Sequence, residues 1–435
     1  MLLPKRLCAL LGMTITTSVL AGNLFVSESG DNSYSGSKEK PWKTVSHAIM
    51  KAVPGDHVYV AEGKYYEDLK TVRNGMAGSP ISFYGNGNVV LSSISIRHKY
   101  INFEGFTITG VGKHDFQGAV TLEKNSASIS LKKLTFRSTP KKVFCIYGNS
   151  DSITDIKVVE CLFVNTGFHA ASLRGSGHLF QENFFESTNG WDALRILCSN
   201  TTITGNIFTN WSNTVSNKNH TDIFQTFSAN GETATNVVIE KNLVINCQNA
   251  QIGNLEDQSR SNGVSDWIFV NNIFSEIDQQ LNIFINNAQI IHNTFFKCTK
   301  NTGHPINIGF SEKKGNGSNS LIMNNMFVEC GRIPIHKRHG WYHVALGNTN
   351  VLADWNFVCG PDGARKDTRH LNEMNGINGG MIEFSDPKSG RFYPTKYSSI
   401  ISAASTLPTP VVTDFYGVRR KIPSDLGAVQ ALEIE

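Results

Sequence analysis

Four short segments carry the side chains best suited to chemistry. In chain order they are 168–174, 191–195, 219–225 and 251–257. The first holds His169 and Arg174, and the second holds Trp191, Asp192 and Arg195. The third holds His220, Asp222 and Gln225, with Lys218 just ahead of it; the fourth holds Asn254 and Glu256. Aligning Arg174, Arg195 and Gln225 sets Asp192 beside Asp222, with His220 just before. Two reactions use such a set. An elimination needs a cation to neutralise a substrate carboxylate, a base for the neighbouring proton and an acid for the leaving oxygen. Arg174 or Arg195 suits the first role, and His220 or Lys218 the second, because a tuned His or Lys takes protons near neutral pH. Glycoside hydrolysis instead needs two carboxylates, ~5 Å apart if retaining and ~6.5–9.5 Å apart if inverting. Asp192 with Asp222, or Asp222 with Glu256, are the candidate pairs. Asp192, Asp222 and Glu256 could alternatively hold Ca²⁺, which takes oxygen ligands; the sequence assigns no metal ligand. His169, Trp191, Gln225, Asn254 and Glu256 are expected to bind substrate. Plainer roles exist for each group, such as a surface ion pair for Asp192 and Arg195. Their joint recurrence is what singles the cluster out.

The elements that must position these groups come from a repeat. Alternating apolar residues are followed by Asn-x-Phe or a near variant, with the Asn at 183, 206, 242, 272, 293 and 325. Cys161-Leu162-Phe163 and Leu134-Thr135-Phe136 read as earlier copies without the Asn. The Asn-to-Asn spacings are 23, 36, 30, 21 and 32. The short values fit one turn of a parallel β-helix, and the long ones the same turn carrying a loop. Period-two alternation and β-branched and aromatic content indicate strands. A turn alone cannot bury its apolar face, whereas a stack of turns can. A buried Asn in every turn can hydrogen-bond along the stack, which satisfies groups otherwise costly to bury. Five residues after each Asn come Thr188, Trp211, Cys247, Ile277, Cys298 and Cys330, all but the first suited to an inward column. The thiols are therefore expected as buried free cysteines. Inward positions being packed, chemistry must lie on an outward face or in the loops.

Composition bounds the rest. The 435 residues are 40% hydrophobic and only 17% charged, which excludes disorder and coiled coil. A net charge of +4 without a basic stripe gives no reason to expect nucleic acid. Residues 1–21 read as a secretory signal peptide, with Lys5 and Arg6 before an apolar run and small residues at 19 and 21. No later stretch is long and apolar enough for a membrane span, so a secreted or periplasmic monomer is expected.

Both ends carry a family resemblance. Residues 25–32, Lys40-Pro41-Trp42-Lys43-Thr44-Val45, His47-Ala48-Ile49, Pro54-Gly55-Asp56 and 58–67 resemble the N-terminal module of secreted right-handed parallel β-helix proteins of the pectate-lyase-like and chondroitinase-B-like kind. Residues 413–420 with 425–428 resemble their closing segment. The resemblance implies an all-β, right-handed parallel β-helix with a short N-terminal capping helix. Apolar spacing at Val45, Ala48, Ile49 and Ala52 places that helix within 44–53. Residues 22–435 are expected as one domain, with cap and first coil over about 22–68 and a loop-rich C-terminal cap over about 359–435. The calcium-binding aspartate cluster of the pectate-lyase-like families has no counterpart. The resemblance implies an enzyme cleaving an acidic, uronic-acid-containing polysaccharide by β-elimination. The alternatives are a glycoside hydrolase on the same face and a non-catalytic binding or adhesin solenoid. A second basic group, 336–339 with Trp341 and Tyr342, could also bind an acidic sugar.

Overall fold

The computed structural model describes residues 21–212, 221–299, 303–331, 341–364, 373–395, 397–405 and 411–431. Lys218, His220, the basic group 336–339 and all but the last residue of the expected leader lie outside the described residues.

One coil shows the plan. Leu194–Ser199 lies in a first sheet, Thr201–Thr204 in a second and Ile207–Thr209 in a third. The next coil repeats this with Asp222–Thr226, Ala234–Glu240 and Leu243–Ile245, each strand paired in parallel with its counterpart. The chain is thus a parallel β-helix of three sheets, as its repeat predicts. Its N-terminal end is covered by α1 (Val45–Lys51), which buries Val45, Ala48 and Ile49. Thr44 Oγ1 accepts the His47 N–H, and the Glu67 carboxylate accepts the N–H groups of Val45 and Ser46. The free donors of the first helical turn are satisfied in this way.

The Asn-x-Phe motif is the corner between the second and third sheets. Each Asn is buried, and the Phe two positions on enters the core. Phe136, Phe163, Phe185 and Phe208 stack with ring centroids 4.5–5.0 Å apart. Phe274, Phe295 and Phe327 continue the column after Val244. The amides form a continuous ladder. Asn242 Nδ2 donates to Asn272 Oδ1 at 3.0 Å and to the Ile203 carbonyl at 2.9 Å. Asn242 Oδ1 in turn accepts from the N–H and the Nδ2 of Asn206. The ladder extends one step beyond the six Asn residues of the motif: Asn325 donates to Asn356, and Asn356 donates to the Glu373 carboxylate. At the other end Cys161 occupies the same corner, its N–H donating to Asn183 Oδ1 and its thiol to the Leu131 carbonyl. Ladder bonds also hold the backbone before each Asn in the left-handed region. Glu182 (φ 55°), Lys241 (54°) and His292 (54°) adopt it without being glycine, a conformation that costs about 1–3 kcal/mol unless its surroundings enforce it.

The expected inward column is present from Trp211 through Cys330, whereas Thr188 points outward and Ser187 takes the buried place. The thiols of Cys247, Cys298 and Cys330 donate to carbonyls of Phe208, Phe274 and Phe295 in the preceding turns. All seven described cysteines are free and buried. Burial pushes Cys145, Cys161, Cys198 and Cys247 up to about 12. Thiolate is the reactive species, so a thiol reagent is expected to label none of the seven in the native protein and all seven in denaturant. Colorimetric thiol titration checks this; labelling under native conditions would place a cysteine outside the core.

The C-terminal segment packs laterally. Among the described residues beyond Cys359, only Ile377–Asn378 prolongs the third sheet. The remainder folds back over the outside of that sheet. Phe392, Ile400, Leu426 and Ala428 bury outward residues such as Ile273, Phe296 and Met326. Arg420, itself buried, donates to Asn271 Oδ1 at 2.6 Å and to the carbonyls of Gly427 and Ala428. The apolar outward residues of the third sheet demand such a cover, because exposed they would form a contiguous apolar patch.

Candidate functional site

The first sheet is the face left polar. Its strands alternate, so Leu194 and Ile196 enter the core while Arg195 points out. Backbone register then stacks Ser172, Arg195, Gln225, Asn254, Asn282 and Asn307 in one outward column. Three residues earlier, where the chain enters this sheet, Asp192 precedes Arg195 and Asp222 precedes Gln225. Asp222 and Gln251 are paired across the next turn.

Four of these side chains close a ring. Arg195 Nη2 donates to Asp192 Oδ2 at 2.7 Å and Arg195 Nε donates to Gln225 Oε1 at 2.9 Å. Gln225 Nε2 donates to Asp222 Oδ2 at 3.1 Å, and the Asp222 N–H donates to Asp192 Oδ1 at 3.2 Å. The Arg195 guanidinium also lies over the Phe227 ring, 5.4 Å from its centroid. His169 Nδ1 is 3.3 Å from Asp192 Oδ2. Its imidazole is packed between the rings of Phe144 and Phe168, with Trp191 at 6.0 Å. Asp192 shows 3% of its side chain and His169 none, whereas Arg195 shows 24%. The carboxylates and imidazole therefore form a floor, and the guanidinium is presented above it.

Burial draws His169 down to about 4; Asp192 opposes this and Arg195 assists it. The imidazole is thus neutral near pH 7 in the folded chain and charged in the unfolded chain below its ordinary value of 6.5. Between those values the unfolded state binds the extra proton, so stability is full above about pH 6.5 and falls as pH drops toward 4. The shift corresponds to roughly 3 kcal/mol at ~1.4 kcal/mol per unit. His178 and His292 are lowered by burial in the same sense. A His169→Phe variant isolates its share: unfolding free energies at neutral and mildly acid pH are expected to differ less than in the parent. An unchanged difference would show that His169 is not buried neutral.

The structure places the other expected residues less uniformly. Trp191 is half-buried, and its carbonyl accepts the Trp211 indole N–H at 2.7 Å. Arg174 is not in the Arg195 column. Its register partner is Leu197, and Ser172 is the partner of Arg195. Ser172 and Arg195 are 23 residues apart, two more than the 21 that an alignment of Arg174 on Arg195 requires. Arg174 instead pairs with Asp151 at 2.8 Å and approaches Glu232 at 3.9 Å. Asn254 Nδ2 donates to Glu256 Oε1 at 2.8 Å. Glu256 lies in a separate set, two turns from Arg195, where Lys314 Nζ reaches it at 2.9 Å and Gln258 also donates. Burial works to raise Glu256, but Lys314, Gln258 and Asn254 outweigh it and hold the carboxyl below its ordinary value. Asp192, Asp222 and Glu256 are thus not one ligand set, and among the described residues no group of three His, Cys, Asp or Glu side chains is placed to hold a metal ion. Phe227 and Lys314 carry no sequence signal, since neither stands at a repeated position.

These features define a right-handed parallel β-helix with a charged cluster midway along its first sheet. Among solved structures the chain is similar to XylC in its complex with xylose, at a TM-score of 0.60 and 10% identity, over 94% of this chain and 98% of that one. It is similar to the PL6 family alginate lyase AlyGC, at 0.55 and 13%, over 95% of this chain and 60% of that one. It is similar also to the pectate lyase Pel9A, at 0.51 and 14%, over 95% and 98%. In sequence it is 38% identical over 108 residues to the uncharacterized protein YwoF of Bacillus subtilis (strain 168); the match spans 24% of this chain and 23% of YwoF. No family model matches the chain. Among the described residues no helix is long and apolar enough to cross a membrane.

Proposed function

We propose that this chain is a secreted carbohydrate-active enzyme that cleaves an acidic, uronic-acid-containing polysaccharide by β-elimination along the first sheet. The observation that carries the reading is which member of the ring faces out. Arg195 is the accessible group, and Asp192 and Gln225 fix its planar fork from below. A guanidinium held in this way matches a sugar carboxylate in two parallel hydrogen bonds. It would neutralise that carboxylate and so acidify the adjacent proton, as electrostatic stabilisation of the developing charge requires. His169 is a positioning residue behind Asp192. The proton acceptor is proposed on sequence alone as His220 or Lys218, two and four residues ahead of Asp222. Support for a polysaccharide comes from lyases among the solved structures of the same fold, and support for secretion from the N-terminal leader pattern.

The test is incubation with a panel of acidic polysaccharides, with and without EDTA. Elimination gives the ultraviolet absorbance of an unsaturated uronate, and that product is expected to form in EDTA because Arg195 supplies the positive charge. New reducing ends without the absorbance would mean hydrolysis and shift the roles to Asp192 and Asp222. Loss of the absorbance in EDTA would assign the neutralising charge to Ca²⁺.

A further inference from the structure

A second polar recess lies on the same side of the solenoid, beyond the ring. After Gln251–Glu256 leaves the first sheet, residues 257–263 form a loop. Two turns further on, Phe310–Ser311 and Gly315–Asn316 form a small antiparallel hairpin. Between them is a cavity of about 220 Å³, lined by Arg260, Asn262, Asn286, Phe310 and Glu312 among others. Its walls are fixed. Asp257 accepts the hydroxyls of Ser228 and Ser259 and the N–H of Asn262, which holds the loop. Lys314 at the hairpin tip is clamped between Glu256 and the Phe284 ring. Arg260 bridges to the Glu312 carbonyl across the mouth. Asn286 Nδ2 donates to Asn262 Oδ1 at 2.8 Å, which ties the loop to the next turn. Phe310, half exposed, supplies an apolar face beside these polar groups.

We propose that this recess is a distal subsite for a neutral sugar ring of the substrate, a reading that rests on the polysaccharide-binding role of the first sheet. Hydroxyls of a pyranose match the Arg260 and Asn316 side chains that line the recess, and its apolar face matches Phe310. The acids Asp257 and Glu312 disfavour a uronate here, so the charged unit is bound at Arg195 and a neutral one at the recess. The recess begins two turns from Arg195 and ends four turns from it, about 10–19 Å at ~4.8 Å per turn.

The test reads binding rather than turnover. Saturation-transfer NMR is recorded with methyl glucoside and with methyl glucuronide on the whole protein and on Phe310→Ala, Arg260→Ala and Arg195→Ala. The glucoside is expected to bind the parent and the Arg195 variant alike, and roughly tenfold more weakly to the Phe310 variant, the change that loss of about 1.4 kcal/mol of contact produces. The Arg260 variant is expected to weaken as well. No glucoside signal in the parent, or equal signals in parent and both recess variants, would overturn the subsite. Glucuronide binding more tightly than glucoside at the recess would overturn its neutral class. Failure of the whole polymer panel would count against the cleavage reading and leave this result standing.

Discussion

Arg195→Ala is expected to lower kcat/KM by about 10²–10³-fold, the usual cost of removing one donor aimed at a developing charge. The loss should appear in kcat as well as KM, because the guanidinium acts on the carboxylate most strongly as the adjacent proton leaves. Arg195→Lys is expected to recover only a small part. A lysine keeps the charge but lacks the fork that reaches Asp192 and Gln225 together. The fold should survive both changes, since Arg195 is partly exposed and Asp192 keeps the Asp222 N–H and His169 as neighbours. Steady-state kinetics with circular dichroism as the control check this. A folded Arg195→Ala variant with parental kcat/KM would remove Arg195 from the chemistry and leave the ring a purely structural feature.

Asn242→Leu is expected to be the most destabilising single change outside the aromatic column. The substitution keeps the volume but removes four hydrogen bonds, those from the Asn206 N–H and Nδ2 and those to the Ile203 carbonyl and the Asn272 amide oxygen. Asn272 Oδ1 keeps the backbone N–H of residue 242, and Asn206 Nδ2 keeps the Phe180 and Thr204 carbonyls. Each buried polar group left unsatisfied costs about 1–3 kcal/mol, so for the Asn206 N–H and the Ile203 carbonyl a total of about 2–6 kcal/mol is expected. That is a large part of the ~5–15 kcal/mol by which domains are stable. The effect should also exceed that of Cys161→Ala at the ladder's end, where the thiol makes weaker bonds to the Leu131 and Val159 carbonyls. Denaturant midpoints of the two variants against the parent give the comparison. Equal, small shifts would mean that the ladder does not act as a unit.

The same residues show why some of the molecule was legible in the sequence and some was not. The ladder could be read because a buried amide recurring ahead of a Phe has one economical explanation. Asn356, with Val358 in the inward place as Val244 is after Asn242, extends the ladder beyond the six copies read from the sequence. The helix α1 was legible from four apolar residues at helical spacing, all buried in the structure. Arg195 and Gln225 were aligned correctly because each stands three residues after an aspartate at the sheet entrance, and the structure adds Asn254 to their column. Arg174 was misaligned because side-chain type was matched where loop length sets the register. Lys314 was invisible because its position depends on a hairpin that occurs in one coil only. The sequence left open where the C-terminal segment packs, because its apolar residues do not name their partners; in the structure these include the outward Phe296 and Met326.

The most direct measurement of the central claim is a crystal structure of a Lys218→Ala, His220→Ala double variant, which lacks both candidate proton acceptors, with an oligosaccharide from whichever acidic polymer is cleaved. The account predicts the sugar chain lying along the first sheet, with one uronate carboxylate on the Arg195 guanidinium and the next units following the Gln225 and Asn254 column. An oligosaccharide bound elsewhere, or crossing the sheet with its carboxylates away from Arg195, would contradict it.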